Sequence, residues 1–141
     1  MSKFARFALV LPVLVILAVS SATVALATNG VNVSVAPTAT LMAKLEVDLM
    51  VTTACPSGWQ TMEASVAVEE AVGKSIAHGT AFIPGVQCTG ADQVIPVTVI
   101  ADPSGPPFKK GTAIASAKLS AYDFQTFSSG FASVNAAVKL R

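Results

Sequence analysis

Charge is scarce in this chain. Charged residues make up 12% of its 141 positions, and nine basic groups nearly balance eight acidic ones for a formal net charge of +1. Nucleic-acid binders need a concentrated basic face, so a nucleic-acid partner is not expected. Histidine is scarcer still, with His78 alone. One imidazole cannot supply a binuclear or copper-zinc site, and no G-x-S-x-G elbow marks a serine nucleophile. No cofactor, no metal and no catalytic residue is therefore expected, and His78 reads as a structural or solvated edge residue rather than a general base. The two cysteines are not a C-x-x-C pair, and with one histidine they are too few for a zinc site. An even count with no third thiol leaves one pairing, Cys55 with Cys88, provided the chain meets oxidising conditions. A loop of that size stabilises the fold by about 3–4 kcal/mol through the unfolded state.

What is abundant is apolar side chain, at 52% of residues. Much of it lies at the front, where Lys3 and Arg6 precede an apolar run from Phe7 to Val19, followed by Ser20, Ser21, Ala22 and Thr23. That order of charged, apolar and small residues is the layout of a secretory signal peptide, here expected as a helix over 1–27. The best cleavage motif is Ala25-Leu26-Ala27, with Thr28 as the new N-terminus, and Ser20-Ser21-Ala22 is second. No cysteine at the boundary would carry a lipid. The competing reading is an uncleaved membrane anchor over residues 7–27, which is long enough to span a bilayer. Removing the signal takes away Lys3 and Arg6 and leaves 28–141 as one slightly acidic domain.

From residue 31 onward the hydrophobic period is close to 2, the mark of half-buried strands. Leu41, Ala43, Leu45, Val47, Leu49 and Val51 share one parity, and Cys55 continues it into the core. Further strands are expected at Val31 to Ala36, Thr61 to Val72 with Met62 inward, and Ser75 to Ile83. Val86 to Cys88 is expected as a short continuation of the last of these, and Gln93 to Ala101, Thr112 to Ala121 and Phe131 to Leu140 complete the set. Gly, Pro, Ser and Asp clusters punctuate them. Ala113, Ala115 and Ala117 alternate with polar residues and read as the inner face of a strand where two sheets approach closely. About seven antiparallel strands without an amphipathic helix predict an all-β sandwich.

Three segments resemble the small secreted immunoglobulin-like domains of actinobacterial type: Ala54-Cys55-Pro56, Val86-Gln87-Cys88-Thr89-Gly90 and Pro107-Phe108-Lys109-Lys110-Gly111-Thr112-Ala113. In those domains the first cysteine ends a long strand, the second sits in a glycine turn, and the Phe-Lys run opens a late strand. The resemblance implies an immunoglobulin-like β-sandwich and brings no activity with it. Trp59 departs from the antibody pattern, because it follows Cys55 too closely to pin the disulfide. It is expected to cap one end of the sandwich or to join an exposed loop.

Few side chains remain for function. Glu69 and Glu70 with Asp92 or Asp102 could meet at a calcium ion, but neighbours on a strand point to opposite faces, so solvated charges guarding a strand edge are the plainer reading. Tyr122, Phe124, Phe127 and Phe131 crowd the last connection. Phe124, Phe127 and Phe131 are expected to fold back and close one end of the core, with a binding loop as the functional alternative. Lys109 and Lys110 beside Phe108 form a small cationic and aromatic spot, more simply a solvated edge. Asn32-Val33-Ser34 is a glycosylation sequon whose meaning depends on the host. The expected role is a secreted, non-catalytic domain for extracellular binding, adhesion or cell-surface structure. Its partner would be an extracellular protein or cell-surface component, and the domain itself a monomer or a weak self-associate. Membrane contact would come only through an uncleaved signal segment. A second reading is a subunit assembled by sheet-edge pairing with Val31 to Ala36 donated to a neighbour, and an enzyme is the third.

Overall fold

The structure, a computed structural model, describes residues 24–141. The charged and apolar segments of the expected signal peptide lie outside the described residues, while its last four residues lie inside. The described chain is all β, without a helix. Its strands are β1 (Val24–Ala27), β2 (Asn32–Val35), β3 (Thr38–Met42), β4 (Glu46–Ala54), β5 (Gln60–Val72), β6 (Ser75–Phe82), β7 (Gln93–Ala101), β8 (Gly111–Asp123) and β9 (Ser128–Leu140).

Alternation decides which side chains go inside. Val47, Leu49, Val51 and Cys55 face the core from β4 and its end, Val66 and Val68 from β5, and Ile95, Val97 and Val99 from β7. The inner face of β8 is nearly all alanine, with Ala113, Ala115, Ala117 and Ala121 buried around Leu119. Small residues on this face leave room for the opposite wall to approach.

Two open sheets are not what these strands make. Hydrogen bonding runs from β9 through β3, β4, β7, β6, β5 and β8 and back to β9, closing a seven-stranded barrel. β1 lies outside this ring on β9, and β2 lies on β4. Two of its joints are short. β3 meets β9 in parallel only at Thr38↔Lys139 and Ala39↔Leu140, and β6 meets β7 only at Gly79↔Ala101 and Thr80↔Ile100. A Cβ at Gly79 would run into the Ile100 carbonyl and come within 2.8 Å of Val99 Cγ1, so only glycine lets the second joint close.

Local departures from the expected strands have local causes. The long strand expected from Leu41 to Val51 is broken by a turn at Ala43 and Lys44, whose φ angles are 49° and 64°, and it becomes the hairpin of β3 and β4. No Gly or Asn announces this turn. Leu45 is consequently exposed, while Val47 onward keeps the expected parity. Met62 also faces outward, because the register of β5 against β8 shifts between Thr61 and Glu63. Val86 to Cys88 is loop rather than strand. Phe108 is fully buried and belongs to the core, not to a surface spot with Lys109 and Lys110. The loop that delivers it is pinned at both ends. Ser104 donates its backbone N–H and its hydroxyl to Asp102 Oδ1 at 2.8 and 2.7 Å, while Phe108 N–H bonds the Lys44 carbonyl and Lys109 N–H bonds Glu70 Oε2 at 2.7 Å.

Candidate functional site

One end of the barrel carries the aromatic residues singled out in the sequence. β8 and β9 form a hairpin whose last pair is Asp123↔Ser128, and Phe124 to Phe127 make its turn. The turn is held by one carboxylate. Asp123 Oδ1 accepts the Gln125 backbone N–H at 2.8 Å, and Oδ2 accepts the Thr126 hydroxyl at 2.6 Å. The Thr126 hydroxyl bond, followed by the Gln125 amide, favours the charged form and holds the Asp123 carboxyl below the usual carboxylate range. Phe127 closes the turn in the left-handed region at φ 56°.

The turn presents its phenylalanines to solvent. Phe127 is 78% and Phe124 53% exposed, and Phe131 is exposed as well. They do not fold back to close the core, which corrects that expectation. Their place there is taken by Trp59, which packs against the core and whose Cζ3 would lie 3.1 Å from a Cβ at Gly130, with Val31 Cγ2 closer still. Trp59 thus caps this end. Tyr122 and Phe124 meet edge to face, with ring centroids 4.7 Å apart at 71°. Phe131 pairs across to Ser120 and Tyr122 to Ser129, so both point from the outer face of the hairpin. Leu26 on β1 pairs with Ser133, one step along the same face, and is exposed too. The result is an apolar tip and flank built on two long paired strands, with its turn already ordered.

The disulfide stiffens the same end. Cys55 is bonded to Cys88, 33 positions later, and Gly90 N–H donates to the Cys55 carbonyl at 3.0 Å. The remaining candidates are scattered. His78 lies half-buried on the outer face of β6 opposite Glu69, and its carbonyl accepts the Asp102 N–H at 2.7 Å. Glu69 is exposed and Glu70 is buried on the inner face, so the two do not converge, and Asp92 sits away from both in the loop before β7. Among the described residues no three His, Cys, Asp or Glu side chains are grouped to hold a metal ion. Asn32 is exposed on β2. Val31 to Ala36 belongs to the chain's own fold, with β2 on β4 and Val31 and Val33 in the core.

One grouping escaped the sequence reading. Lys44, Lys109 and Lys110 surround Leu41 and Ala43 in a shallow hollow at the end of the barrel opposite the aromatic tip. Lys44 is brought there by the unannounced turn, and Lys109 and Lys110 by the burial of Phe108. Nothing in the spacing of these residues signals the meeting.

No family model, no curated protein and no solved structure matches this chain.

Proposed function

We propose that this is a secreted, disulfide-stapled, immunoglobulin-like domain that binds a cell-surface protein through the aromatic tip of its last hairpin. The observation that carries the reading is the exposure of Phe124 and Phe127 on a turn locked by Asp123. A binding loop must display apolar anchors without losing much entropy when it docks, and a pre-ordered aromatic turn on a rigid hairpin meets both demands. Strand neighbours support the immunoglobulin-like part. The first long strand, β4, pairs with β7, while β5, β8 and β9 run side by side, matching the B–E and C–F–G neighbours of that fold. The disulfide departs from it, tying the end of β4 to the loop before β7 instead of bridging two facing strands. Secretion is supported by the charged-apolar-small order of the first residues and by the disulfide, which needs an oxidising compartment.

Binding to intact producing cells tests this. The exported domain should sediment with the cells, and the double variant Phe124→Ser, Phe127→Ser should bind at least about tenfold more weakly, as loss of a central anchor implies. Ile114→Ser, on an exposed position of β8 away from the tip, should bind like the wild type. Equal retention of the tip variant would overturn the assignment of the site. Reproducible turnover of a hydrolase or oxidoreductase substrate, abolished by His78→Ala, would overturn the non-catalytic role.

A further inference from the structure

We infer that export ends with cleavage after Ala22, so that the mature chain begins at Thr23 and keeps β1. The inference rests on the export reading above and concerns where that processing falls. Two small-residue motifs offer themselves, Ser20-Ser21-Ala22 and Ala25-Leu26-Ala27, and the second has the better consensus. The fold separates them.

Cutting after Ala27 removes a strand of the sheet. Val24–Ala27 lies antiparallel on β9 in continuous register, Val24↔Asn135, Ala25↔Val134, Leu26↔Ser133 and Ala27↔Ala132. The ladder runs on into Thr28, whose N–H donates to the Phe131 carbonyl at 2.9 Å while its hydroxyl accepts the Phe131 N–H at 2.9 Å. Asn29 Nδ2 adds a bond to the Ser129 carbonyl. Asn29 and Gly30, both left-handed at φ 52° and 74°, then turn the chain toward β2. Strand, clamp and turn form one connection, and β1 is its first arm.

The edge that β1 covers is otherwise open. β3 takes over the side of β9 away from β8 only near Lys139 and Leu140, so without β1 the stretch from Ala132 to Asn135 is paired on its β8 side alone. That stretch reads Ala-Ser-Val-Asn, with no proline and no charge to discourage pairing with another chain. Cutting after Ala22 discards the charged and apolar export segments and leaves the cover in place. It also keeps Leu26 beside the aromatic flank.

The full chain, expressed in a secreting host, tests this by intact mass and N-terminal sequencing of the exported product. The product should begin at Thr23. A start at Thr28, or an exported product still starting at Met1, would overturn the inference and leave the export reading standing, whereas the absence of any exported product would overturn both. Two variants sharpen the result. Ala22→Leu places a bulky residue at the proposed cut and should leave unprocessed precursor, while Ala27→Leu, at an exposed position of β1, should be processed like the wild type. Loss of processing in Ala27→Leu, or normal processing in Ala22→Leu, would refute the assignment.

Discussion

Thr53 sits 1% exposed on the inner face of β4, and its hydroxyl has no hydrogen-bond partner among the described residues. A buried hydroxyl left without a bond loses its hydration and gains nothing in return. Thr53→Val keeps the branched shape, removes the unpaired group and should stabilise the domain by about 1 kcal/mol. An unchanged or lowered denaturant midpoint would show that the hydroxyl does find a partner. Glu70 is the opposite case, a buried carboxylate whose Oε2 takes the Lys109 amide. At Gly79 the constraint is space. Gly79→Ala forces a methyl into the Ile100 carbonyl and should destabilise by about 1–3 kcal/mol, as overpacking does. Faster amide exchange in that variant at Thr80 and at Asp102, whose N–H bonds the His78 carbonyl across the two strands, would locate the damage at the joint of β6 and β7.

At the scale of elements, alternation made the strands readable and left their ends obscure. β7 spans the expected residues because Ile95, Val97, Val99 and Ala101 all find the interior. β8 and β9 run longer than expected, to Asp123 and from Ser128. Their tight turn is made by hydrogen bonds from Asp123, a signal weaker than the Ser-Ser-Gly cluster that draws attention just after it. This turn should respond to acid. The lowered pKa of Asp123 means that the carboxylate orders the turn fully above about pH 4 and loses its hold as the pH falls through the lowered value. The Gln125 amide resonance should therefore shift with an apparent pKa below that of a free aspartate, and Asp123→Asn should flatten the titration. A Gln125 resonance indifferent to pH down to full protonation would exclude the carboxylate as the turn's lock.

On the scale of the whole molecule, closure of the ring leaves little edge for pairing with a neighbour. What remains is the outer sides of β1 and β2, with the parts of β6 and β7 beyond their short joint. The ends of the barrel differ in kind. Aromatics, tryptophan cap and disulfide share one, and Lys44, Lys109 and Lys110 share the other. The disulfide closes a loop that contains β5 and β6, so reduction should lower unfolding stability by about 3–4 kcal/mol. Equilibrium denaturation with and without reductant measures this. A midpoint that does not move on confirmed reduction would mean that the bond constrains nothing in the unfolded chain.

The sequence by itself determined that the domain is all β, which residues of most strands face inward, that Cys55 can pair only with Cys88, and that alanines line one wall. These are local matters, because successive side chains alternate across a strand and two thiols admit a single pairing. Only the tertiary structure decided that the sheet closes, that a turn at Ala43 and Lys44 splits a strand, and that Phe108 goes inside while Phe124 and Phe127 stay out. It also decided that Val24–Ala27 belongs to the sheet. Each of these depends on which distant segments meet: which edge lies within hydrogen-bond reach, whether Trp59 or a phenylalanine fills the open end, and which loop a buried carboxylate can hold. Such competitions are settled between residues far apart in the chain, where alternation carries no information.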